Sequence, residues 1–357
     1  MGFAFASEAL IARWKPEWPR TDFARHTVKL EEIESGGPPK DGIPALDKPR
    51  FDSAAMASSW LDPREPVIAL EVGGRARAYP LSILIWHEIV NDRLGDAPVA
   101  VTFCPLCNAA VIFDRRVGGI ELDFGTTGKL RYSDLVMYDR QTQSWWQQFT
   151  GLGIVGRHAG ARLHRIESQI VAFDDFRAAH PDGQVLAKAT GYSRPYGRNP
   201  YRGYDRIDQS PFLLGQAPDP RLPPMERVLS VSAGGVDRAY PFTRLAREPV
   251  INDTVGGEPV VVMSREGTLS VLDAEEIRAA RRVPSATAFS RRLGDRVLDF
   301  APRGGKVFDR QTDSEWSLLG RAVSGPLRGR RLAPAASGVH FAFAWLVFNP
   351  RTEIYGR

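Results

Sequence analysis

Cysteine is nearly absent from this chain. Its 357 residues hold two, Cys104 and Cys107, which is too few for the disulfide framework of a small secreted domain. Long apolar runs are missing as well, so no transmembrane segment is expected. The N-terminal MGFAFASEALIARWKPEWPR has neither the apolar core nor the cleavage site of a secretory leader. A cytoplasmic location is therefore expected, or a periplasmic or extracellular one if a leader has been trimmed. Charge of one sign is not in large excess, since a net charge of +5 is spread over the whole chain. Arg-rich pieces such as RRLGDR are short and come without an RNP, zinc-finger or helix-turn-helix pattern, so nucleic-acid binding is not expected. No nucleotide or flavin motif is present.

What is there is a hydrophobic content of 43%, enough for a real core, with 27 prolines and 33 glycines scattered at turn-like positions. The chain also resembles itself. VIALEVGGRARAYPLSILIWHEIVND (67–92) lines up without a gap with VLSVSAGGVDRAYPFTRLAREPVIND (228–253), 161 residues later. LDF and YDRQTQSWW (122–146) match LDF and FDRQTDSEW (298–316), and FDDFRAAHPDGQVL (173–186) resembles FAWLVFNPRTEIY (343–355). Alternating apolar positions at Ile68, Leu70 and Val72 read as a strand, and the paired glycines 73–74 and 234–235 read as hairpin turns. PLSILIWHEI and AEEIRAARR read as short helices. The expected fold is mainly β with short helices, a β-rich α+β chain of two tandem pseudo-repeats. Its expected divisions are an N-terminal extension (1–40), a first repeat (41–190), an inter-repeat segment (191–222) and a second repeat (223–357).

A duplicated unit supplies its own control. Polar positions kept in both copies, such as Asp139/Asp309, Arg140/Arg310 and Thr142/Thr312, are expected to serve the shared fold as turns and caps. Polar positions found in one copy are candidates for chemistry. Cys104 aligns with Arg265, Cys107 with Thr268 and His87 with Glu248. The second copy reads PVVVMSREGTLSVLD as strand, tight turn, strand, so VAVTF and AVIFD are expected to be strands and CPLCN their connection. That placement differs from the helix N-terminus where thioredoxin-like thiols sit. A Cys-Pro-Leu-Cys turn followed by Asn108, a residue that tolerates positive φ, suits a knuckle with both sulfurs on one metal.

The expected metal ligands are Cys104, Cys107 and His87, with copper as first choice and zinc as second. Glu88, Asp134 and Tyr138 are the candidate catalytic groups, with Glu88 placed to orient the imidazole or act as a base. The first copy carries six more residues within GTTGKLRYSDLVMY, read as a long loop. From it and the neighbouring SWWQQ come the candidate substrate-binding residues Thr126, Lys129, Arg131, Ser133, Trp145 and Trp146. Strand alternation is expected to turn one of the two tryptophans outward.

HEIVND, VTFCPLCNAAVIFDR, SDLVMYDRQTQSWWQQFTG and FNPRTEIY together resemble the bacterial and archaeal family called domain of unknown function 3179, from about residue 40 to the end. The resemblance implies secreted or periplasmic proteins and carries no established reaction. Three readings follow: a metal-binding protein or metalloenzyme, such as an oxidoreductase, acting on a small molecule or peptide; a thiol–disulfide redox protein; and a non-catalytic β module that binds a partner.

Overall fold

The computed structural model of the protein describes residues 2–357. The fold is mainly β, with few and short helices and mostly antiparallel pairing. Two compact units form. The first takes the chain up to Pro49, Leu84–Ile166 and Ser210–Pro218; the second takes Arg50–Ile83, Glu167–Gln209 and Asp219–Arg357.

Two five-stranded sheets make up most of the first unit. One runs in the order Ile33–Ser35, Phe124–Arg131, Asp134–Asp139, Trp145–Gln147, Leu152–Val155. The other runs Arg165–Ile166, Ala109–Asp114, Ala97–Cys104, Ile89–Leu94, Leu46–Asp47. Seven successive residues from Pro98 to Cys104 are buried, which is why this strand reads as a continuous apolar run rather than an alternating one. On the first sheet, Trp14, Trp18 and Phe23 pack edge-on or tilted around Trp145, with ring centroids 5.0–5.3 Å from it. Trp145 is therefore fully buried, and so is Trp146, beside the rings of Phe124 and His158. Neither turns outward as alternation predicted, because each face of this short inner strand is covered.

In the second unit, the hairpin Pro66–Val72/Arg75–Pro80 and the hairpin Arg227–Ala233/Val236–Pro241 pair in the same register. Val67 faces Pro80 and Val228 faces Pro241, each 161 residues apart. Each hairpin also gains an antiparallel strand on one side and a parallel one on the other. The helices Phe173–Ala179 and Ala342–Phe348 are both seven residues long.

Residues shared by the two halves do structural work at the atomic level. The Asp139 carboxylate accepts the Thr142 amide at 2.6 Å and the Trp146 indole N–H at 3.0 Å. The Asp309 carboxylate accepts the Thr312 amide at 2.7 Å and the Trp316 indole N–H at 3.0 Å. Asp-Arg-x-Thr-x-Ser-x-Trp is thus a turn that satisfies its own donors and pins a buried tryptophan. A glycine closes each turn from outside: a Cβ at Gly156 would lie 2.9 Å from Ser144 Cα, and one at Gly325 2.7 Å from Ser314 Cα.

Three local expectations change. AEEIRAARR forms only a 3-10 turn, Ile277–Ala279. The carbonyls of Asp273 and Glu275 accept from Gly203 and Asn199 of the inter-repeat segment, which diverts them from helical bonds. The strand aligned with the thiol-bearing one continues through Arg265 as one element, Glu258–Leu269, with a bulge between Glu266 and Thr268 in place of a tight turn. The stretch expected to be a long loop forms none; it lengthens the hairpin Phe124–Arg131/Asp134–Asp139 by six residues over the sequence-matched hairpin Phe300–Arg303/Lys306–Asp309, which ends at Gly304–Gly305.

Candidate metal centre

Cys104 ends its strand and pairs with Ala109 of the returning one, so only four residues make the connection. Pro105–Cys107 is a single 3-10 turn, with proline at a position that needs no amide donor. Asn108 closes it in the left-handed conformation at φ 48°, its amide bonded to the Pro105 carbonyl at 3.1 Å. The reading of CPLCN as a connection between two strands holds. The turn leaves both sulfurs buried, Cys104 1% and Cys107 0% exposed.

The lengthened hairpin comes to the same place. Its tip is a two-residue turn, Tyr132 at φ 54° and Ser133 at φ 68°, the primed geometry that fits the twist of a hairpin but usually selects Asn or Gly. The Ser133 amide donates to the Leu213 carbonyl at 2.9 Å. Its own carbonyl accepts from both thiols, at 3.8 Å from Cys104 Sγ and 3.6 Å from Cys107 Sγ. Asp134 follows with no exposed surface. Its Oδ2 accepts Gln147 Nε2 at 2.6 Å and the Phe149 amide at 2.9 Å, while Oδ1 has no hydrogen-bond partner among the described residues.

Ligand atoms of Cys104, Cys107 and Asp134 all lie within 4.8 Å of one another. Donors on a tetrahedral zinc ion at about 2.0–2.3 Å are roughly 3.3–3.8 Å apart. A small inward movement of side chains would therefore close the group on a cation.

Burial dominates the electrostatics. It pushes the Asp134 carboxyl up to about 7, against the hydrogen bonds from Gln147 and Phe149 and the nearby thiols that pull it down. Burial, followed by the neighbouring Asp134 charge, pushes Glu88 up to about 8. Both thiols are raised by the same loss of solvent, Cys107 well above its ordinary value. Without a cation these groups resist ionising together; a bound cation reverses the preference.

Glu88 reaches this neighbourhood through the backbone. Its carbonyl accepts the amide of Phe103, the residue before Cys104, at 2.8 Å, and it sits at φ 59°. Among the described residues nine non-glycines have positive φ, and five of them, Glu88, Asn108, Tyr132, Ser133 and Leu213, belong to or bond directly to this cluster. Each such residue costs on the order of 1–3 kcal/mol, and strain of this kind concentrates at functional sites.

His87 is buried and lies outside the group of ligand atoms within 4.8 Å of one another; its Nδ1 is 2.7 Å from the Pro44 carbonyl. A carbonyl only accepts, so Nδ1 carries the proton. Asp134 stands third with the thiols instead. Nearness in sequence drew attention to His87, while a hairpin 30 residues after Cys104 brings Asp134 to the thiols.

The other candidates disperse. Tyr138 donates to Asp41 Oδ2 at 2.5 Å and packs on Trp18, away from the thiols. Thr126 donates to the Ile43 carbonyl at 2.7 Å. Lys129 Nζ lies 3.9 Å from Glu17 and over the rings of Trp14 and Trp145. Arg131 bonds Glu32 and also Gln147 Oε1 at 3.2 Å, so it buttresses the amide that holds Asp134. Trp145 and Trp146 are core. Among the substrate-binding candidates, Ser133 alone touches the thiols, and it does so through its backbone.

No curated protein and no solved structure matches the chain at a significant level. A family pattern does match, over residues 40–352, and its description is "Protein of unknown function (DUF3179)". With nearly the whole length covered, including the thiol turn and the hairpin that meets it, the chain belongs to the DUF3179 family.

Proposed function

We propose that the chain is a metal-binding protein whose centre is formed by Cys104, Cys107 and Asp134, with Glu88 as the adjoining proton-holding group. The observation that carries this reading is the buried Asp134 Oδ1, left without a hydrogen-bond donor beside two buried thiols. A carboxylate oxygen stripped of water costs several kcal/mol unless something compensates it, and a cation shared with two sulfurs does so. The donor set also shifts the metal preference. With a carboxylate in the place expected for imidazole, a zinc-type divalent ion ranks ahead of copper. Three protein ligands leave a fourth position for water or a small ligand, with Glu88 beside it to take or give a proton.

The thiol–disulfide reading is weaker on physical grounds. Reactive Cys-x-x-Cys pairs have lowered thiol pKa values at a helix start, whereas these thiols are raised by burial and follow a strand.

Elemental analysis of protein purified without chelator, beside Cys104→Ser/Cys107→Ser and Asp134→Asn, tests the proposal. Stoichiometric zinc or another divalent ion that falls away in both variants is the expected result. Metal-free protein that cannot be loaded with zinc, cobalt or copper would overturn it.

A further inference from the structure

The second half has no thiols, and at the corresponding place it builds something else. Arg265 pairs with Ser285 as Cys104 pairs with Ala109, so counting back along the returning strand puts Val283 and Pro284, and not Thr268 as the sequence alignment had it, at the places of Cys107 and Asn108. Between these strands the chain makes a long excursion instead of a four-residue turn. That excursion helps to wall a cavity of about 490 Å³ within the second unit, inside the usual range for small-molecule sites.

Three buried charged residues line it: Asp205, 1% exposed, Glu226, 5% exposed, and Arg227, 8% exposed. Each is only partly satisfied. Arg227 gives Nη2 to Asp205 Oδ2 at 2.7 Å and to Ser270 Oγ at 2.8 Å. Its Nε and Nη1 have no hydrogen-bond partner among the described residues. Glu226 Oε1 accepts the Thr243 amide at 2.8 Å, and Oε2 has no partner among the described residues. Arg281 helps to hold Asp205, at 2.8 Å, and itself pairs with Asp273. The two arginines and the two aspartates balance in charge, with Asp205 Oδ1 lacking a hydrogen-bond partner among the described residues and the free donors of Arg227 left for an incoming group.

The rest of the lining includes apolar surface from Met225, Phe242 and Val283. Comparison of the halves separates the two charges. Glu226 corresponds to Glu65, but Arg227 corresponds to Pro66, so the positive group belongs to the second half alone.

We propose that this cavity binds a small zwitterion with an apolar body, of the apolar amino-acid class, with its carboxylate on Arg227 and its ammonium on Glu226. Buried donors on Arg227 and buried acceptors on Glu226 and Asp205, lining the same space, select a ligand that carries both signs. A ligand with one charge leaves the other buried group unpaired, which is the stronger source of discrimination.

Calorimetric titration of the full chain with leucine, 4-methylpentanoate and 3-methylbutylamine tests the assignment. Leucine is expected to bind one molecule per chain. The other two, each lacking one charged group, are expected to bind about tenfold or more weakly. Arg227→Met is expected to abolish binding, but it strips Asp205 of a partner and risks the fold. Ala246→Trp avoids that risk, because Ala246 is an exposed lining residue; it is expected to abolish binding with an unchanged melting temperature. Cys104→Ser/Cys107→Ser is expected to leave leucine binding intact, which separates this site from the metal centre. Absence of saturable leucine binding, equal affinity for the three probes, or full binding by Ala246→Trp would each overturn the assignment.

Discussion

A carboxyl group enclosed by protein gives up its hydration, and Asp134 recovers only half of it, through two donors on Oδ2. Asp134→Asn keeps the size of the side chain and can still accept those donors, yet it cannot ligate as an anion. The expected result is a loss of zinc affinity of about tenfold or more, read by chelator competition, with apoprotein stability changed by less than about 1 kcal/mol because a costly buried charge has gone. Asp139 and Asp309 are expected to behave oppositely. Asp139→Ala or Asp309→Ala leaves an amide and an indole N–H without an acceptor, and unfolding by urea should show a loss of about 2–4 kcal/mol for either. These residues look alike in sequence, as acids in conserved-looking surroundings. The internal comparison separated them, since Asp139 recurs as Asp309 whereas Asp134 falls in the stretch found in one half only.

At the scale of the element, the Cys104, Cys107 and Asp134 cluster depends on the length of one hairpin. Six added residues carry the tip from the Gly304–Gly305 position of the second half to Tyr132–Ser133, where the Ser133 carbonyl meets both sulfurs. The turn keeps two non-glycine residues at positive φ, which local preference opposes. Ser133→Gly is accordingly expected to raise the melting temperature, with a gain of about 0.5–1 kcal/mol, while metal content stays the same because only the backbone carbonyl faces the thiols. A drop in metal content with the fold intact would mean that the serine hydroxyl, and not the carbonyl, matters. Sequence periodicity did reveal the flanking strands and the extra length. It did not reveal that the extra length is paired strand, because Gly128 and the bulge between Thr126 and Lys129 interrupt the alternation.

For the molecule as a whole, the acid response is expected to include a contribution from the second unit. Burial alone would raise the Asp253 carboxyl, but the Arg238 guanidinium at 2.8 Å and the Tyr240 hydroxyl at 2.8 Å outweigh it and hold the group below its ordinary value. A lowered carboxyl releases its proton more readily folded than unfolded. Its stabilisation is therefore complete above the unfolded pKa of about 4 and fades as the pH falls below that value. Asp253→Asn should lower stability at pH 7 by about 1 kcal/mol and flatten the acid limb of a melting-temperature profile; an unchanged acid limb would count against the clamp. No helix among the described residues is long and apolar enough to cross a membrane.

The sequence by itself determined the β-rich class, the strand–turn–strand setting of the two thiols, and the structural nature of the Asp-Arg-x-Thr-x-Ser-x-Trp turn. All three are written in local patterns: alternation, turn residues and recurrence later in the chain. Only the tertiary structure decided which groups stand beside the thiols. It brought Asp134 to them and left His87 bonded to Pro44, buried both tryptophans, and placed Glu226 and Arg227 on one cavity wall. The physical reason is that a site is assembled from elements far apart in the chain. The register of a hairpin tip and the packing of covering residues fix such juxtapositions, and neither leaves a mark in local periodicity.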